Sequence, residues 1–114
     1  MHELSIVASL FEILEEKASE QQAKKILLVK LKVGKLAGVV PEFLRTAFDM
    51  YKKGTIAEDA VLEIEDVPFK IKCQKCQTET EREDFVFICP ACGSTDLRTL
   101  AGTELLLEKI ELET

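Results

Sequence analysis

From Leu4 to about Ala18 the apolar residues fall at Leu4, Val7, Leu10, Phe11, Leu14 and Ala18, the three-and-four spacing that lines one face of a helix. Glu12, Glu15, Glu16 and Lys17 lie largely off that stripe and read as its solvated side. The period then shortens to two. In KKILLVKLKVG, Leu27, Val29, Leu31 and Val33 share one face and Lys30 and Lys32 the other, which predicts a strand ending at Gly34. Helical spacing returns in VVPEFLRTAFDMYKKG, where Pro41 suits a first turn, Phe43, Leu44, Ala47, Phe48 and Tyr51 form the stripe, and Gly54 suits the stop. AVLEIEDV alternates Leu62 and Ile64 with Glu63 and Glu65, so a second strand begins near Val61.

Near Pro68 the character changes. The stretch from Phe69 to about Leu100 holds all four cysteines, the β-prone pieces FKIK and FVFI, and the turn-like CGSTD. After it, ELLLEKIEL regains strand character with Leu106, Ile110 and Leu112 on one side. The simplest arrangement returns this last strand to the sheet of residues 26–33 and 61–67, making the cysteine stretch an insertion. The fold class expected is therefore α+β: two helices packed on a small three-stranded sheet, with an inserted zinc-ribbon-like four-cysteine subdomain. The expected boundaries are residues 1–67 plus 101–114 for the α+β domain and 68–100 for the insertion.

Composition agrees with a folded chain of that size: 114 residues, 46% hydrophobic and 32% charged. No apolar run approaches the roughly eighteen residues of a membrane span, and acidic Glu3 stands where an export signal would be basic. A cytoplasmic protein with no membrane partner is expected. Fifteen basic against 21 acidic residues give a net charge of −6, which disfavours nucleic acid as the main partner, because that affinity rests largely on neutralising phosphates.

CQKC and CPAC place Cys73, Cys76, Cys89 and Cys92 in two C-x2-C turns separated by twelve residues. Each turn can aim two thiolates at one point, and two turns joined by a short hairpin complete the tetrahedral sulfur set that Zn(II) accepts. Gly93 lets the chain curl after the second turn. Two disulfides, a redox pair and an iron–sulfur cluster are the competing readings. A four-sulfur zinc site leaves no open position for a substrate, so its expected role is structural. Lys70, Lys72, Lys75, Arg82 and Arg98 are matched by Glu79, Glu81, Glu83, Asp84 and Asp96 in this stretch, without the basic stripe of a nucleic-acid reader.

The only histidine is His2. Its size should protect Met1 from removal, leaving a free α-amine two carbon atoms away from the His2 amide nitrogen. Met1 amine, deprotonated His2 amide and His2 Nδ1 would close a five- and a six-membered chelate ring, a donor set suited to Ni(II) or Cu(II). Glu3 can add a backbone nitrogen or a carboxylate. The competing readings are an incidental surface histidine and a Glu3 that only favours a helix N-terminus by its charge.

With MHE at the start, the amphipathic helix, KVGKLAGV, AFDMYKKGTIAEDAVLEIED and the paired C-x2-C motifs in this order, the chain resembles the HypA (also HybF) family of hydrogenase nickel-maturation proteins over nearly its whole length. That resemblance implies a nickel metallochaperone whose nickel motif falls on Met1, His2 and Glu3, with His2 the essential side-chain ligand, and whose zinc cysteines are Cys73, Cys76, Cys89 and Cys92. It also implies a HypB-type GTPase partner and delivery to the [NiFe]-hydrogenase large subunit, with urease maturation proteins served by some members. Histidines beside the zinc cysteines, present in some members, are absent here. The expected activity is binding and transfer of Ni(II), not bond-making catalysis; a zinc-ribbon interaction module without nickel delivery is the alternative.

Overall fold

A computed structural model describes residues 2–82 and 86–114, His2 by its backbone alone. The first element, α1 (His2–Glu20), begins two residues before the apolar stripe predicts. Val7, Leu10, Phe11, Leu14 and Ala18 are all buried, but Leu4 is 44% exposed. Glu3 takes the inward place one turn before Val7, because residues 3, 7, 10 and 14 share a helix face. The helix closes with Ala23 N–H donating to the Ala18 carbonyl across Gln22, whose φ is 53°.

The next strand, β1 (Lys25–Gly34), is the centre of a three-stranded sheet. It pairs in parallel with β2 (Val61–Val67), the crossover being supplied by α2 (Pro41–Tyr51), and antiparallel with β6 (Leu105–Glu113). The expected sheet is thus present, in the order β2-β1-β6. Two expected faces need correction. Leu27 is exposed and Ile26 buried, because the β1–β6 register shifts between Ile26 and Leu28 and the extra residue reverses the alternation. A second shift, between Lys30 and Leu31, does the same in β6: Leu107 joins Ile110 and Leu112 against the core, and Leu106 is 54% exposed.

In α2, Leu44, Ala47 and Phe48 are buried as expected, whereas Phe43 and Tyr51 lie at the margins of the stripe and are exposed. Both helices cover one face of the sheet. Phe11 joins them, its ring centroid 5.4 Å from Phe48 and 4.8 Å from Tyr51. Arg45 Nη1 donates to the Leu62 carbonyl at 2.6 Å, and Lys52 Nζ to the Ala60 carbonyl at 3.0 Å, fastening α2 to the β2 side. On the opposite face Lys30 and Lys32 each contact both Glu65 and Glu108, at 3.4–3.8 Å. The hydrogen bond that Lys30 donates to Glu65, then the charge of Glu108, holds the Lys30 ammonium above its ordinary pKa. These side chains are partly solvated, so the lattice adds little stability.

A second sheet follows Pro68. Its strands are β3 (Phe69–Cys73), β4 (Glu79–Arg82) and β5 (Leu97–Ala101), in the order β4-β3-β5 with both pairings antiparallel. FKIK is therefore a strand; FVFI is not, over its described part. Residues 86–88 are irregular and join neither sheet, and the Phe87 ring meets Phe69 at 5.2 Å. Phe85 lies outside the described residues.

The two sheets meet at one short segment. Gly34 N–H donates to the Glu104 carbonyl, Lys35 N–H to Val67 and Leu36 N–H to Gly102, so the chain entering the second sheet and the chain leaving it are both tied to residues 34–36. The radius of gyration is 17.7 Å, against about 13 Å for a compact chain of this length, and the extents are 55 × 27 × 17 Å. Two bodies in line account for that excess. No helix among the described residues is long and apolar enough to cross a membrane.

Candidate metal centre

The four cysteines are brought together by two turns of the same construction. In the first, Cys73 N–H donates to the Thr78 carbonyl and Gln77 N–H to the Cys73 carbonyl; in the second, Cys89 N–H donates to Ser94 and Gly93 N–H to Cys89. Gln77 and Gly93 hold equivalent left-handed conformations, φ 65° and 76°. The hexapeptides CQKCQT and CPACGS share Cys-x-x-Cys-x-Thr/Ser, a repeat that the reading of the cysteines alone passed over. Gln74 N–H donates to the Asp96 carbonyl at 2.9 Å and ties the first turn to the chain entering β5.

All four sulfurs lie within 4.8 Å of one another, with Cys73–Cys92 and Cys76–Cys89 at 3.6 Å. A disulfide needs about 2.0 Å, so the cysteines are free thiols. Four thiolates at about 2.3 Å from one ion in a tetrahedron stand about 3.8 Å apart, which is close to what is seen. Cys73 and Cys89 are buried, while Cys76 and Cys92 face solvent.

The thiols are not equivalent. The Cys76 amide, 3.5 Å from Cys73 Sγ, is the main cause of a lowered Cys73 pKa. Thr78, first through its hydroxyl at 3.2 Å and then through its backbone, lowers Cys76 to about 6. At Cys92 the Ser94 backbone acts downward but is outweighed by Cys73, burial, Cys89 and Cys76, which push it up to about 12. Four convergent thiolates repel one another, and a dication among them would satisfy all four sulfurs. The donor set is compatible with zinc.

Gln77 carries a left-handed turn that glycine carries in the sister loop. Gln77→Gly is expected to raise the stability of the metal-loaded protein by about 0.5–1 kcal/mol, read as a higher denaturant midpoint. A fall in the midpoint would show that the Gln77 side chain, whose Nε2 donates to the Gln74 carbonyl at 3.1 Å, outweighs the backbone strain.

The other expected metal motif is placed only in part. Met1 and the His2 side chain lie outside the described residues. Glu3 is 8% exposed, and its Oε2 accepts the Val40 N–H at 3.3 Å, at the start of α2. Leu4, Phe43, Thr46, Ala47 and Met50 line the apolar groove beside it.

A helix-covered α+β sheet carrying a four-cysteine knuckle unit between two of its strands defines a small metal-binding protein. The family model described as "Hydrogenase/urease nickel incorporation, metallochaperone, hypA" matches residues 1–112, and the chain belongs to this family. It is 42% identical over 113 residues to the hydrogenase maturation factor HypA of Aquifex aeolicus (strain VF5), covering 99% of this chain and 98% of that one. The corresponding factor of Desulfitobacterium hafniense (strain DSM 10664 / DCB-2) is 40% identical, with 99% of each chain covered. Among solved structures, the Ni metallochaperone HypA from Helicobacter pylori is similar at a TM-score of 0.66 and 26% identity, covering 97% of both chains. A solution structure of a HypA protein is similar at 0.72 and 28%, covering 98% of this chain and 96% of that one.

Proposed function

We propose that this chain binds Ni(II) through Met1, His2 and Glu3 and passes it, together with a HypB-type GTPase, to the large subunit of a [NiFe]-hydrogenase in the cytoplasm. Its resident metal is Zn(II), held by Cys73, Cys76, Cys89 and Cys92 in a structural role. Residues 1–67 with 101–114 form the nickel-binding domain and residues 68–100 the zinc-binding subdomain. The activity is binding and transfer, and no bond of a substrate is made or broken.

The observation that carries the nickel assignment is the start of α1 at His2. The first four N–H groups of a helix have no intrahelical partner. The His2 and Glu3 amides can therefore lose their protons to nickel without breaking the helix ladder. Met1 supplies the amine, His2 the amide and Nδ1, and Glu3 a backbone nitrogen. These nitrogens suit Ni(II), as four sulfurs suit Zn(II), and the difference in donors keeps the two metals on separate sites.

Nickel titration by calorimetry tests the reading. Untagged protein is expected to bind one Ni(II), and His2→Ala to lose at least a hundredfold in affinity; equal affinity in the two would sink the proposal. A tag ahead of Met1 removes the amine while keeping every side chain, and the same loss is expected. Because amine and amide protons leave on binding, affinity should fall as pH is lowered. A flat profile between pH 8 and pH 6 would contradict amide and amine ligation.

A further inference from the structure

The start of α2 lacks its own cap. Val40, in the N-cap position with φ −91° and ψ 114°, has no side-chain acceptor, and Pro41 follows it. In a capping box the residue three positions after the N-cap returns a carboxylate to the N-cap N–H. That residue here is Phe43, which cannot do so. The carboxylate comes instead from another helix: Glu3 Oε2 accepts the Val40 N–H at 3.3 Å across 37 residues of sequence. Glu3 is also buried, in a stripe otherwise made of Val7, Leu10 and Leu14.

We infer that the Glu3 carboxylate is a positioning group for the nickel motif, closing a capping box between α1 and α2, and that it is not itself a nickel ligand. This rests on the N-terminal nickel site proposed above. The bond fixes the first turn of α1 against α2 through the carboxylate, and the first amides of a helix have no intrahelical partner to lose. Nickel then meets a pre-ordered pair of amides, and the ordering cost is met by the fold and not by the metal. The negative charge also sits favourably at the N-terminal end of α2.

The two roles differ in what glutamine can replace. Its side-chain carbonyl accepts the Val40 N–H as a carboxylate oxygen does, but it is a poor substitute for an anionic ligand. In the full-length untagged protein loaded with zinc, Glu3→Ala is expected to weaken Ni(II) binding roughly tenfold. Glu3→Gln should recover most of that loss and keep the wild-type nickel d–d absorption spectrum. Val40→Pro deletes the donor without touching residue 3, so it should weaken Ni(II) binding like Glu3→Ala, and combining the two should add little. It also keeps the test open should Glu3→Ala fold poorly.

Glu3→Gln binding as weakly as Glu3→Ala, or with a changed spectrum, would make the carboxylate a ligand and overturn the inference. Wild-type affinity in Glu3→Ala would overturn it as well. Unchanged affinity in the parallel His2→Ala sample is a separate failure: it removes nickel from the terminus, and this role of Glu3 with it, whatever the Glu3 variants show.

Discussion

Stripping the metal from Cys73, Cys76, Cys89 and Cys92 with a chelator is expected to unfold residues 69–101 while the β2-β1-β6 sheet and its two helices remain folded. Among the described residues of that stretch, the buried apolar side chains are Phe69, Ile71, Cys73 and Cys89, so half of the small core is sulfur that the metal would hold. So few buried groups cannot offset the entropy of ordering three short strands. Structural zinc contributes about 10–16 kcal/mol in peptides of this kind, as much as a whole domain's net stability. The α+β body has its own core of fifteen buried residues drawn from both helices, the strands β1 and β2 and the turn before β2, and does not depend on it. Amide exchange before and after chelation reads the result. Protection lost in β3, β4 and β5 but kept in β1 is the expected pattern; uniform retention would show that the unit stands without metal.

Gly34→Ala is expected to cost about 3 kcal/mol or more. A Cβ there would overlap the Gly102 carbonyl carbon and oxygen and approach the Thr103 nitrogen to 2.7 Å. These are backbone atoms, and both chains are already fixed by the bonds to Glu104 and Gly102. Nothing flexible can yield. Gly38→Ala provides the contrast: space around it is open, and only its φ of 74° resists, which is worth about 1 kcal/mol. Denaturant melts of the zinc-loaded variants separate the two effects. Similar small losses at both positions would mean that the close approach of residues 34 and 102 is not tight in solution.

Periodicity made the element order legible because both helices and the strands β1 and β2 bury one face and show the other to water. It failed where one residue breaks the count. The bulges that turn Leu27 and Leu106 outward are set by cross-strand pairing, which no local window contains. FVFI has strand composition, yet residues 86–88 join neither sheet and the Phe87 ring rests on Phe69 instead, a tertiary contact that composition does not announce. The cysteine cluster was legible for the opposite reason: the spacing carries the geometry, and the sulfurs converge as the spacing requires. Glu3 was half legible. MHE marks it as part of a motif, but its partner is a backbone N–H in a different element, and valine at position 40 has no side chain to announce the bond.

The cysteine unit is held at both of its ends by residues 34–36, and two points of attachment define an axis. Tilting the unit across that axis has to break the bonds of Gly34, Lys35 or Leu36, so a load on the unit falls on the segment that leads into α2.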